Sequence, residues 1–141
     1  MKNLLAALLI LSIAVGVLML LFDGLLWLDN PKNGHAYSLV VFTLIQLFLL
    51  AGVFAGRAGA TKAVASWAAA YLAMLLLNPL TGPAIGISPT EFAMYLFGLT
   101  PVSSFDGVSC PFLCPPFAVS YTVLVVLQAI LLYVGVRAVR R

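Results

Sequence analysis

Residues 37–78 read YSLVVFTLIQLFLLAGVFAGRAGATKAVASWAAAYLAMLLLN. Two apolar runs, at about 37–56 and 63–79, flank a short segment that carries Arg57 and Lys62. Each run is close to the 17 to 25 residues an α-helix needs to cross a bilayer. A connection of about six residues leaves no room for a second strand or a domain, so the two helices must form an antiparallel hairpin. Two further apolar runs lie to either side, at about 3–22 and 117–137. The chain therefore predicts an all-α integral membrane protein, residues 1–141 forming one antiparallel bundle of four transmembrane helices.

Charge orients this bundle. Lys2, Arg57, Lys62, Arg137, Arg140 and Arg141 all fall on the side where both termini would lie, and Lys32 is the one basic residue on the other. All four acids, Asp23, Asp29, Glu91 and Asp106, share that other side. By the positive-inside rule the termini are expected in the cytoplasm of a multi-pass cell-membrane protein. Composition excludes a hidden soluble domain, because charged residues are 8% of the chain and apolar ones 64%. The basic residues mark topology, and there is no basic patch of the kind a nucleic-acid partner needs. Lys2 ahead of an apolar run resembles a signal peptide, but the run is too long for an h-region and no small-x-small site precedes 29–34, so a retained helix is expected.

The outer connection, 80–116, is far longer than the inner one, and seven of the eight prolines lie between Pro79 and Pro116. Within it Ser88-Pro89-Thr90-Glu91 has the form of a capping box: a Ser hydroxyl meets the amide three residues on, and the Glu carboxylate reaches back. A short helix over about 89–97 is expected, stopping near Gly98 and lying in the interface or capping the bundle. Under this reading Glu91 is a cap rather than a catalytic acid.

Cys110 and Cys114 are the only cysteines, close together on the oxidising side just before the fourth helix. A disulfide is the natural expectation, and so short a ring stabilises by about 2 kcal/mol through loop closure. A redox-active pair that exchanges electrons with a membrane quinone is the sharper alternative. Two thiols and the distant His35 are too few for a closed metal site, so no metal is expected. Nor does the chain show a haem-ligating histidine pair or a flavin-binding motif.

Inside the membrane Gln46 and Gln128 stand out. Both lie about ten residues from the outer ends of their helices, hence at similar depth at about 1.5 Å per residue. Interhelical hydrogen bonding is the plain reading, and contact with a quinone carbonyl the sharper one, with Tyr121 as a further candidate contact. Ser12-x-x-x-Gly16 and Gly52-x-x-x-Gly56 are small-residue pairs that let helices approach. Asp23 follows an unbroken apolar run and precedes Gly24-Leu25-Leu26-Trp27-Leu28, which permits the first helix to continue past it. It is either a solvated helix-end anchor or a proton-handling group that would want Lys32 or His35 as partner.

The stretch 18–33, LMLLFDGLLWLDNPKN, resembles the end of the first helix of the DoxX/DoxD family, in which an apolar helix runs into a G-x-x-K-L-x-N-P-like turn. Gly24, Leu28, Asn30 and Pro31 fit that pattern, while Trp27 stands where a Lys is usual. Residues 44–68 are similar to that family's second and third helices joined by a basic turn, with Gln46 where a Glu is common. The resemblance covers about the first 75 residues. It implies a small membrane subunit of a quinone-linked respiratory or redox complex acting at the outer face, with other membrane subunits as partners. The outer loop and its cysteine pair have no counterpart in that family; on the residues' own reading Cys110, Cys114 and Asp23 are the candidate catalytic groups, and Gln46, Gln128 and Tyr121 the candidate quinone contacts. A non-catalytic accessory subunit is the alternative, since the unusually apolar outer loop needs something to cover it. The cysteine placement is also similar to that of the vitamin K epoxide reductase-like thiol oxidases, whose Cys-x-x-Cys spacing this chain lacks.

Overall fold

The structure, a computed structural model, describes residues 2–29, 34–99 and 114–140, with side chains except those of 22–29, 34–36, 85 and 114–117. All regular structure among the described residues is helical. The order is α1 (Lys2–Asp29), α2 (Gly34–Phe54), α3 (Ala60–Leu77), a 3-10 segment (Asn78–Ile85), α4 (Pro89–Leu96) and α5 (Cys114–Val139). Four stretches are long and apolar enough to cross a membrane: Lys2–Leu21, Tyr37–Phe54, Ala60–Ala84 and Ala118–Val139. Their outward side chains are themselves apolar, Phe48 being 70% exposed and Leu44 and Leu21 similarly bare. Such a surface is suited to lipid tails. The protein is a multi-pass α-helical membrane protein.

Three helix boundaries differ from the sequence expectation, each for a local reason. α1 runs on to Asp29 instead of ending near 22, because nothing between Asp23 and Leu28 breaks a helix. The third helix tightens at Asn78 into a 3-10 segment that takes up the first part of the expected loop, where Pro79 and Pro83 remove backbone donors. α5 begins at Cys114 rather than 117, because Pro115 and Pro116 sit in a first turn whose amides need no intrahelical partner.

α5 packs along both α1 and α3, and α1 along α2, while the seam between α2 and α3 is slighter. Small residues explain the closest seam. A methyl group on Gly135 would stand 2.9 Å from Ala65 Cβ and 3.1 Å from Ala65 Cα, so the two backbones meet with no side chain between them. Gly16 plays the same part between α1 and α2, where a methyl would lie 3.1 Å from Thr43 Oγ1. The Gly52 to Gly56 pair does not pack helices together. Gly56 lies beyond α2 at φ 64°, and the bonds Gly56 N to Val53 O and Arg57 N to Gly52 O close the helix into the turn. Lys2 Nζ then donates to the carbonyl of Phe54 at 3.0 Å, placing a cation on the last carbonyl of α2 and joining two helix ends.

Lys2, Arg57, Lys62, Arg137 and Arg140 thus gather at one end of the bundle, with the Arg137 guanidinium 4.7 Å from the centre of the Tyr133 ring. At the other end sits α4. Ser88 Oγ accepts from Glu91 N at 3.2 Å and donates to Glu91 Oε2 at 2.6 Å, and Ser88 N donates to the same oxygen at 3.1 Å. The capping box is complete. α4 stops as expected at Gly98, where Leu99 N bonds to Met94 O and Gly98 N to Tyr95 O. Its Phe92 and Leu96 are buried with Met19, Leu75 and Leu124, so α4 caps the bundle.

Those bonds from Ser88, first from its hydroxyl and then from its backbone amide, hold the Glu91 carboxyl below the usual glutamate range. A carboxyl lowered in the folded state contributes fully above its unfolded pKa, and the contribution fades as pH falls through the lower folded value. The amides of α4 should therefore lose hydrogen-exchange protection, corrected for intrinsic rate, only on acidification below that range. Glu91→Gln should remove the pH dependence. A midpoint near neutrality would exclude the Ser88 bonds as its origin.

Candidate functional site in the bundle core

The core is divided along the membrane normal. One apolar cluster, Leu5, Ala6, Leu9, Val53, Val64, Ala68 and Leu131, fills the half nearer the basic end. The other, which includes Val15, Met19, Tyr71, Leu75 and Leu127, fills the half under α4. Between them, on α1, α2 and α5, lie the buried polar residues Ser12 (1% exposed), Gln46 (1%) and Gln128 (0%). Ser12 is ten residues beyond Lys2, about 15 Å along the axis and so near the middle of a hydrocarbon layer about 30 Å thick.

Helix packing sets this shared level. Gly16 faces Leu39 and Thr43, so one turn nearer the basic end Ser12 comes level with Gln46. Gly135 against Ala65 fixes α5 on α3 and places Gln128 two turns toward α4. Gln128 Nε2 donates to Ser12 Oγ at 2.7 Å, so the glutamine's partner is the serine of α1 and not the other glutamine. Phe42, one turn from Gln46 on the same face of α2, stands edge-on to Trp67 (5.4 Å between ring centres) and Tyr71 (4.8 Å). That sets Trp67 of α3 beside Phe42, about one turn from Gln46.

Three polar atoms of this layer are buried without a hydrogen-bond partner: Gln46 Nε2, Trp67 Nε1 and Gln128 Oε1. Each such atom costs about 1–3 kcal/mol, and in a native structure it needs an explanation. α2 makes the point most sharply. Among its described residues only Gln46 and Val53 are buried, so a helix otherwise turned outward directs an amide inward.

The other candidates sit elsewhere. Tyr121 is buried beneath α4, and its hydroxyl donates to the carbonyl of Leu75 at 2.6 Å. Proline explains that bond. In an α-helix the Leu75 carbonyl would take the amide of residue 79, which is Pro79 and has no N–H. Tyr121 supplies the missing donor from α5, which assigns it a structural part at the α3 exit. Tyr121→Phe keeps the ring and its edge contact with Phe97 but orphans the carbonyl. We expect a loss of about 1–3 kcal/mol in reversible unfolding in detergent; an unchanged midpoint would mean the carbonyl finds another donor. Cys110 lies outside the described residues. Asp23 and Cys114 fall within α1 and α5, but their side chains, like those of Trp27 and His35, are not described, and Lys32 lies outside.

No family model, curated protein or solved structure matches the chain.

The function must therefore be argued from the polar layer itself. Two of its four members escape a sequence reading. Ser12 reads as a packing residue, and Trp67 only as one of the residues that make the third run the most polar. A signal was present for Ser12, which counted from the basic end falls at the depth of the two glutamines, whereas Trp67 lies only a turn inside its run.

Proposed function

We propose that this protein is a small membrane subunit of a quinone-linked redox complex, with its ligand held between helices at mid-membrane depth. The observation that carries the reading is the pair of buried donors, Gln46 Nε2 and Trp67 Nε1, without a partner in an apolar core. Hydrogen-bonding groups of that kind, few and set in apolar walls, suit a lipid-soluble head group with oxygen substituents. The resemblance of 18–33 and 44–68 to the DoxX/DoxD family supports the same reading. In this proposal the basic end faces the cytoplasm by the positive-inside rule, in the plasma membrane. α4 and the segment with Cys110 then lie on the outer face, where that pair either staples the approach to α5 or exchanges electrons with quinone.

A second reading, a non-catalytic accessory subunit, is favoured by one feature. α2 turns Val41, Leu44, Leu47 and Phe48 outward, a face that a neighbouring transmembrane helix would cover as readily as lipid. Gentle extraction from native membrane separates the two, with co-purifying proteins identified by mass and quinone quantified per chain. Quinone that stays with the wild type and is lost from Gln46→Leu supports the redox subunit. A large partner complex with no quinone attributable to this chain supports the accessory role and removes the first reading.

A further inference from the structure

α5 turns two opposite faces to two different surroundings. Leu124, Gln128 and Leu131 point into the bundle and are buried. The reverse face carries Val119, Val126, Ile130 and Tyr133, then Arg137 and Arg140. All six are exposed and follow one another at three, four or seven residues, hence in one stripe along the helix. The span Ala118–Val139 is 22 residues, about 33 Å at 1.5 Å per residue, so it covers a hydrocarbon layer about 30 Å thick. The apolar part of the stripe lies within that layer, and its two cations come at the end of the span, where the phosphates of one leaflet begin.

Helix direction decides where the cations reach, because side chains lean toward the N-terminus of their helix. α3 starts at the basic end, so Lys62 leans away from the bilayer. α5 ends there, so Arg137 leans back toward it. The Tyr133 ring, 56% exposed, receives the guanidinium 4.7 Å from its centre. A guanidinium held over a ring face keeps its N–H groups directed outward in its own plane, where a phosphate can take two of them. No carboxylate among the described side chains competes, since the acid so described, Glu91, is bonded to Ser88 at the far end.

We propose that this stripe seats one anionic phospholipid, with its phosphate on Arg137 and an acyl chain along Ile130, Val126 and Val119. Charge selects the occupant. Arg137 and Arg140 together leave an excess of positive charge once a single phosphate is met, which suits the neutral glycerol of phosphatidylglycerol and opposes the choline cation of phosphatidylcholine. The site is separate from the polar layer and does not depend on what that layer binds.

The test presents the full chain with an equimolar mixture of phosphatidylglycerol and phosphatidylcholine in detergent micelles, and native mass spectrometry counts each lipid bound per chain. The first lipid bound should be phosphatidylglycerol, preferred at least about tenfold, which corresponds to about 1.4 kcal/mol. Arg137→Gln should bring the preference to about twofold or less, and Tyr133→Leu, which keeps the charge and the apolar surface, should lower it in part. Lys62→Gln should leave it unchanged. The wild-type comparison needs no variant to fold, and equal binding of the two lipids there overturns the proposal. So does a loss in Lys62→Gln as large as in Arg137→Gln, since diffuse charge and not the α5 stripe would then be the cause. Displacement of the lipid by millimolar glycerol phosphate would show a site for a free phosphate and would overturn the part given to the acyl chain.

Discussion

Gly135→Leu is expected to abolish the packed bundle while leaving the four helices inserted. The reason is geometric. A single methyl at Gly135 already stands 2.9 Å from Ala65 Cβ and 3.1 Å from Ala65 Cα, and the second contact is to backbone, which cannot rotate away. Overpacking of this kind costs about 1–3 kcal/mol for one methyl-sized addition. A leucine adds three more carbons into the same seam, so α3 and α5 must separate along the most extensive contact in the bundle. Gly135→Ala should unfold earlier in a detergent titration, and Gly135→Leu should lose its cooperative transition. Combining Gly135→Ala with Ala65→Gly should recover part of the loss, because the 2.9 Å contact is removed while the 3.1 Å contact remains. Gly52→Ala is the control, since a methyl there meets only Ala60 Cβ at 3.9 Å. Equal damage at Gly52 and Gly135 would show that helix flexibility, and not close approach, is what glycine provides.

The second large effect has the opposite sign. Gln46→Leu should make the protein more stable, by about 1–3 kcal/mol, because it replaces a buried donor without a partner by a side chain of similar volume that needs none. The same change should remove ligand retention. Gain of stability with loss of binding is the signature of a group kept for its chemistry, since selection for stability alone would have removed it. Ser12→Ala behaves differently, because it strips Gln128 Nε2 of its 2.7 Å bond and leaves the whole amide orphaned in the core. It should destabilise by a similar amount. If Gln46→Leu instead unfolds the protein, Gln46 is structural glue and the binding reading loses its main support.

How far the sequence could be read depends on what each feature rests upon. The four spans, the hairpin turn and the α4 capping box follow from apolar length and from bonds between residues three positions apart, and these are local. The depth of the two glutamines is also local, being a count along a helix. Their partners are not. Gln128 bonds to Ser12, a residue in a different helix, and the choice of serine over Gln46 depends on how α1 and α5 meet. The same limit explains Gly135, whose value lies in Ala65 opposite, and Tyr121, whose hydroxyl serves a carbonyl left bare by Pro79. Nothing near Gly135 or Tyr121 in the chain announces those partners.

The bond between Ser12 and Gln128 joins residues 116 positions apart. Membrane insertion proceeds helix by helix as the chain is made, whereas packing needs both halves of a contact to be present. Ser12 on α1 therefore lacks its Gln128 partner until α5 arrives. During that interval the nascent chain is threaded but not assembled, and the Ser12–Gln128 bond is a contact that only the complete chain can make.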